Sequence, residues 1–279
     1  MTDIILPKQQ HMEKLQEILR GMQRVIIAYS GGVDSVFLLR VAVDTLGPEQ
    51  VLAVIGESPR YPSREGAEAI RLAEAMHAAY RVIHTEEMND TRYAANPNNR
   101  CYYCKHELFS RIIRIAKDEG YAAVLDGNNA DDIGDWRPGQ QAARELGVRS
   151  PLIEAGFSKG IIRELSHAMG LPTWNKPASA CLASRIPYGT PITSEALVAI
   201  ELAENVLRDL GFRQVRVRHH DVLARIEVAP EEIFRFSNEP LRHAINEKFR
   251  AIGYQYVALD LQGYRTGSFN ELLPARSTD

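Results

Sequence analysis

"VIIAYSGGVDSVFLL", residues 25 to 39, runs an apolar segment into Ser30-Gly31-Gly32-Val33-Asp34-Ser35 and then into a second apolar segment with helical spacing. A buried strand, a glycine turn and a helix are the elements this order predicts. The two glycines permit positive φ and close backbone approach, the first amides of the helix point outward, and the Ser30 and Ser35 hydroxyls add donors. Such a turn suits a phosphate. A lone glycine pair is commonly only a connection, but the flanking serines between strand and helix favour the anion site. No lysine stands in the loop, so the GxxxxGK[ST] arrangement is missing and kinase-like or GTPase-like chemistry is disfavoured.

The same alternation continues outward. "RVIIAYS" (24 to 30), "VLAVIGES" (51 to 58), "YRVIHT" (80 to 85) and "AAVLDG" (122 to 127) read as buried strands. Between them "DSVFLLRVAVDTLG", "SREGAEAIRLAEAMH" and "KHELFSRIIRIAKDEG" read as helices, the first two opening at an Asp or Ser cap. The fold class is therefore α/β, a parallel sheet covered on both faces. Ligands of such sheets collect beyond the carboxyl ends of the strands, in the loops after Ser30, Ser58, Thr85 and Gly127. From residue 171, "LPTWNKPASACLASRIPYGTPIT" loses any sustained period and reads as a functional loop or linker. Beyond it, "SEALVAIELAENVLRDLG" and "EPLRHAINEKFRAIG" read as helices, and "QVRVRHH", "ARIEVA" and "YQYVALDLQGY" as strands of a small α+β unit. Two domains result, 1–185 and 186–279.

The bulk numbers exclude several classes. With 33 Lys+Arg against 36 Asp+Glu, the chain has no general pull toward nucleic acid. No apolar run approaches the roughly 18 residues of a membrane span, and the N-terminus lacks a secretory pattern, so a cytoplasmic protein is expected. Cys101 and Cys104 stand three apart in "NNRCYYCKHELF" (98 to 109), and the only other cysteine is Cys181. In a reducing compartment three cysteines argue for metal binding or thiol chemistry over a disulfide framework. Cys181 shares the loop "NKPASACLASRIPYG" (175 to 189) with Ser179, Ser184 and Arg185, where a buried core cysteine is not expected and a guanidinium would favour thiolate. Arg216 and Arg218 alternate along "QVRVRHH", which places both on one strand face. That face is either solvated or a binding site for a phosphate or carboxylate.

The SGGxDS motif after a strand resembles the PP-loop ATP pyrophosphatases. That resemblance implies that Ser30, Gly31, Gly32, Asp34 and Ser35 hold the pyrophosphate of ATP, with Asp34 acting through Mg²⁺. Adenine and ribose would lie near Ala28, Ser58, Asp126 and Gly127. Taken with "AVLDGNNADDIGDWRPG" (123 to 139), "KPASACLASRIPYG" and "VRVRHHDVLARIEV … YVALDLQGYRTG", the chain resembles along its length the lactate racemase maturation sulfur transferase (LarE) family. The family likeness implies an adenylating domain over 1–185 and a substrate-binding, assembly domain over 186–279. It implies adenylation of pyridinium-3,5-biscarboxylic acid mononucleotide and its conversion to a thiocarboxylate, performed twice, on the way to the nickel-pincer nucleotide. In cysteine-sacrificing members the donor ends as dehydroalanine, and the matching position here is Cys181 or one away, at Ala180.

Three readings of the cysteines follow: a disulfide; zinc, with Cys181 and one of His84, His106, His219 or His220 completing the site; or a [4Fe-4S] cluster on Cys101, Cys104 and Cys181. Some members resembling this chain depend on a cluster, whose fourth iron would take sulfide from an external donor. The likeness assigns Ser184, Arg185, Arg216 and Arg218 to the substrate. Glu204 and Glu227 are weaker candidates for metal or substrate contacts, and Asp135, Trp136 and Arg137 for covering the nucleotide. Exposed strands in the second unit suggest a homo-oligomer. Rival readings are a tRNA thiolase, an ATP-dependent amide ligase and a nucleotide-binding redox sensor.

Overall fold

The computed structural model describes residues 8–133, 138–177 and 180–265. Strand β1 (Val25–Ala28) is central, flanked by β2 (Val51–Glu57) and β4 (Ala123–Leu125), with β3 (Ala79–His84) at one edge. All pairings in this sheet are parallel, in the order β3-β2-β1-β4. Alternate side chains of β1 enter two cores. Val25 and Ile27 pack with residues of α1 (Lys8–Met22), α2 (Val33–Leu46) and α3 (Ser63–Ala75). Ile26 joins Leu52, Val54 and Val124 against Leu108, Phe109 and Ile112 of α5 (Arg100–Asp118). Strand β3, at the edge, is mostly exposed, where a buried strand was expected. Burial on both faces explains why β1, β2 and β4 read as apolar runs. Each large apolar side chain so buried contributes roughly 1.5–3 kcal/mol.

Two local expectations are corrected. The first residues of α2 and α3 are not side-chain caps: the N-caps are Gly32 and Pro62, and neither helix start has a side-chain cap hydrogen bond. Side-chain caps occur elsewhere, at Ser158 before α8 (Lys159–Ala168), Thr193 before α9 (Ser194–Asp209) and Asn238 before α10 (Glu239–Ile252). Helix α5 begins at Arg100, ahead of the Lys105 start expected, so Cys101 and Cys104 lie on its first turns.

The chain forms two compact units. One takes residues up to Asp90 and the stretch from Asn99; the other takes Thr91–Asn98 and the residues from Ala180 onward. Thr91–Asn98 is thus an excursion out of the first unit. Its cause is Asn96, fully buried, whose side-chain amide donates to the carbonyls of Pro187 (2.8 Å) and Thr190 (2.9 Å). Ile192 N–H also donates to Ala94 O at the end of the short helix α4 (Thr91–Ala94). The first unit is completed by α6 (Pro138–Glu145) and α7 (Pro151–Glu154).

In the second unit β5 (Val215–His220) pairs antiparallel with β6 (Leu223–Val228), which pairs parallel with β7 (Tyr256–Leu259) across α10. Val215, Val217, Ala224, Ile226 and Val228 pack against Ala203 and Leu207 of α9 and Ile245 and Phe249 of α10. The opposite sheet face carries Arg216, Arg218, Arg225 and Glu227.

Candidate active site

Strands β1 and β4 are neighbours whose connections leave in opposite directions along the sheet, which makes the crevice beyond their carboxyl ends a topological switch point. The Ser30–Ser35 loop occupies it. Gly31 has φ +63°, and a Cβ there would stand 2.7 Å from Ala69 Cβ, so only glycine fits. Ser30 and Ser35 hydroxyls lie 3.2 Å apart, Ser35 Oγ donates to Gly32 O (3.1 Å), and Tyr61 Oη donates to Ser30 O (2.6 Å). With no side chain capping α2, its first amides are available to an anion.

Around this loop the structure gathers the expected nucleotide residues. Gly127 approaches so closely that a Cβ there would lie 3.1 Å from Ser35 N. Asp126, buried at the end of β4, accepts from Ser150 Oγ (2.7 Å) and Asn128 N (3.1 Å). Burial pushes its carboxyl above the usual aspartate value against those hydrogen bonds. Ala28 ends β1 beside Val54, and Ser58 follows β2 and is buried. Near Ser58, buried Glu87 accepts from Arg60 Nε at 2.7 Å. Burial raises the Glu87 carboxyl, but the Arg60 guanidinium and nearby hydroxyls outweigh it and hold the group below the usual range.

Asp34, the expected Mg²⁺ contact, is ion-paired with Lys159 at the start of α8 and accepts from Asn129 Nδ2 at 3.3 Å. Lys176 stands by the same loop, 3.4 Å from Gly31 O and 2.7 Å from both Glu65 and Glu68. Neither lysine was legible as part of the site, because 125 and 145 residues separate them from the loop positions they meet. The SGGVDS loop without a lysine was the one available signal that a cation must come from elsewhere.

Of the cysteines, Cys101 is exposed, Cys104 buried and Cys181 half-buried. Cys101 and Cys104, three apart on α5, lie on its first turns at a spacing that suits two ligands of one metal centre. Within either unit, among the described residues, no three His, Cys, Asp or Glu side chains gather as a metal site. Of the histidines considered for zinc, His84 pairs with Glu57, His106 stacks near Tyr102, and His219 Nδ1 lies 3.1 Å from Tyr254 Oη.

Cys181 precedes a short 3-10 turn, Leu182–Arg185, which Arg185 ties together. Its Nη1 reaches Ala180 O (2.6 Å), Cys181 O (2.9 Å) and Ser184 Oγ (3.0 Å), while Nε and Nη2 grip Glu204 at 2.7 and 3.0 Å. Arg185 is therefore directed at the loop's carbonyls and at a carboxylate, where the sequence suggested a thiolate partner. Glu204 is fully buried between Arg185 and Arg208. Arg218 makes a two-pronged pair with Glu227 (2.9 and 2.7 Å) and donates to Ser184 O (2.9 Å).

The arginine face of β5 is thus not solvated: Arg216 and Arg218 are 6% and 5% exposed. Arg216 lies over the Tyr264 ring at 5.1 Å; burial, then the Arg185 charge, pull its guanidinium down to about 10, still a cation at neutral pH. Glu204 and Glu227 serve here as carboxylate partners of arginines. Asp135, Trp136, Arg137 and Ser179 lie outside the described residues.

Fold and loop together define a PP-loop nucleotide-binding protein. The NAD synthase family model matches residues 9–116, which hold the phosphate loop. The pyridinium-3,5-bisthiocarboxylic acid mononucleotide synthase of Lactiplantibacillus plantarum is 40% identical over 255 residues, 91% of this chain and 92% of that protein. An uncharacterised protein of Synechocystis is 44% identical over 94% of this chain and 97% of its own length; one of Methanocaldococcus jannaschii is 29% identical over 88% and 92%. The chain belongs to the family of the pyridinium-3,5-bisthiocarboxylic acid mononucleotide synthases, and it is an ATP-using enzyme. Among the described residues no helix is long and apolar enough to cross a membrane.

Proposed function

We propose that the protein is the ATP-dependent sulfur transferase that converts pyridinium-3,5-biscarboxylic acid mononucleotide to its bisthiocarboxylic counterpart. One observation carries this reading: a 40% identity over 91% of the chain takes in both the phosphate loop and the arginine strand. In the first half-reaction a substrate carboxylate oxygen attacks the α-phosphorus of ATP and pyrophosphate departs, its charge met by the open amides of α2. Arg216 and Arg218, with Ser184, would bind the substrate's phosphate and second carboxylate, in a loop that Arg185 holds in shape. In the second half-reaction a sulfur nucleophile attacks the acyl carbon and AMP leaves.

For the sulfur we favour a [4Fe-4S] cluster held by Cys101, Cys104 and Cys181, which when bound would present a replaceable sulfide from an external donor. The support is the helical pair Cys101 and Cys104 at a helix start, a feature that a sacrificial cysteine alone does not need. The sacrificial alternative has Cys181 form a thioester, then lose its Cα proton as the Cβ–S bond breaks, leaving dehydroalanine. Asp34 is the proposed Mg²⁺ contact.

The test is anaerobic reconstitution with iron and sulfide, followed by ATP, Mg²⁺ and the dicarboxylate. Multiple turnovers of thiocarboxylate and an iron-sulfur chromophore lost in Cys101→Ala, Cys104→Ala and Cys181→Ala are expected. A single turnover that leaves Cys181 lighter by one hydrogen sulfide in the mass spectrum would overturn the cluster. Absence of pyrophosphate release with the dicarboxylate would overturn the function, and tight, salt-sensitive tRNA binding would favour a thiolase instead.

A further inference from the structure

We propose that Lys159 is the cation that receives the pyrophosphate of ATP, moving from Asp34 to the leaving group as the nucleotide binds. This rests on the reading that the Ser30–Ser35 loop holds ATP. That loop contains no lysine, and its one acidic residue, Asp34, would repel an incoming polyphosphate. Lys159 answers both problems. Its Nζ sits on Asp34, and the two side chains are 33% and 21% exposed, so the pair is reachable from the crevice.

The root of Lys159 is fixed, and its side chain is one-third exposed. Its backbone N–H donates to Asp131 Oδ2 (2.8 Å), and Ser158 caps the next turn of α8 at Ile161 N. Lys176, the other lysine beside the loop, is poorly suited to exchange partners: two carboxylates hold it at 2.7 Å, and its side chain is only 14% exposed. In the reaction the α-phosphorus–oxygen bond breaks and its electron pair goes to the pyrophosphate oxygen. Lys159 stabilises that charge as an ammonium, with no proton transferred. Asp34, released, faces whatever metal accompanies the phosphates.

The experiment is calorimetric titration of full-length protein with inorganic pyrophosphate, in EDTA and in Mg²⁺. Lys159→Gln is expected to weaken pyrophosphate binding by about tenfold or more while adenosine binding is unchanged; Lys159→Arg should largely restore it. In EDTA, Asp34→Asn should bind pyrophosphate more tightly than the wild type, because it releases the lysine, and the double variant Asp34→Asn/Lys159→Gln should lose that gain.

Equal pyrophosphate affinity for Lys159→Gln and wild type would overturn the proposal. So would a Lys159→Gln effect that vanishes in the Asp34→Asn background, since the lysine would then serve only to neutralise Asp34. Pyrophosphate binding that depends on Lys159, in a protein inert toward the pyridinium dicarboxylate, would sink the proposed substrate and leave this assignment standing.

Discussion

The phosphate loop and the arginine face both offer positive potential, yet they are built in opposite ways. At the loop the charge is mostly backbone: amides of an uncapped helix behind Gly31, which admits no side chain, joined by a lysine brought in from α8. Around β5 it is side chain: guanidiniums held by two buried carboxylates, Glu204 meeting Arg185 and Arg208, and Glu227 meeting Arg218 and Arg225. The contrast follows from desolvation. Helix amides carry only partial charge and need no counterion, whereas buried guanidiniums such as those of Arg185 and Arg218 are held by carboxylate partners.

The sharpest way to break this contrast is to remove one of these guanidiniums. Arg185→Ala should destabilise the protein by about 3–5 kcal/mol, because Glu204 keeps its burial and loses its two-pronged partner. Urea unfolding measures it, and a loss under about 1 kcal/mol would mean that Arg208 suffices for Glu204.

At the loop the expected cost is smaller but falls on binding. Gly31→Ala must adopt φ +63° and push against Ala69, for roughly 1–3 kcal/mol of strain. Thermal unfolding and ATP titration together should show a modest stability loss and a large affinity loss. Unchanged affinity would show that the loop's shape is not what holds the phosphates.

The smallest effect is a change of slope with pH. Glu87 carries a depressed carboxyl in the folded chain, so its pair with Arg60 contributes fully above the unfolded glutamate value of about 4.3 and is lost as pH falls through the lower folded value. The stability gap between wild type and Glu87→Gln should therefore be constant near neutrality and shrink in acid. A gap that widens in acid would reverse the assignment.

How much could be read beforehand differs between the two sites for the same reason. The strand, glycine turn and helix of residues 25–39 are neighbours in sequence, so spacing and residue type predicted both their structure and their anion preference. The paired faces of β5 were equally legible, valines inward and arginines opposite, because strand alternation is local. Whether the arginine face met water was not, since that depends on α9 and the Cys181 loop supplying Glu204 and Ser184. Similarly, Cys101 and Cys104 were visible as a pair, but their place on a helix depended on where α5 begins.

By itself the sequence determined a parallel α/β unit with a phosphate loop and a small α+β unit. Only the tertiary structure decided that Lys159 meets Asp34, that Asn96 carries Thr91–Asn98 into the second unit, and that both arginines of β5 are buried, Arg218 in a pair with Glu227. Periodicity reports the environment of a residue relative to its near neighbours along the chain. Partners a hundred residues away are selected by packing, and no local pattern encodes them.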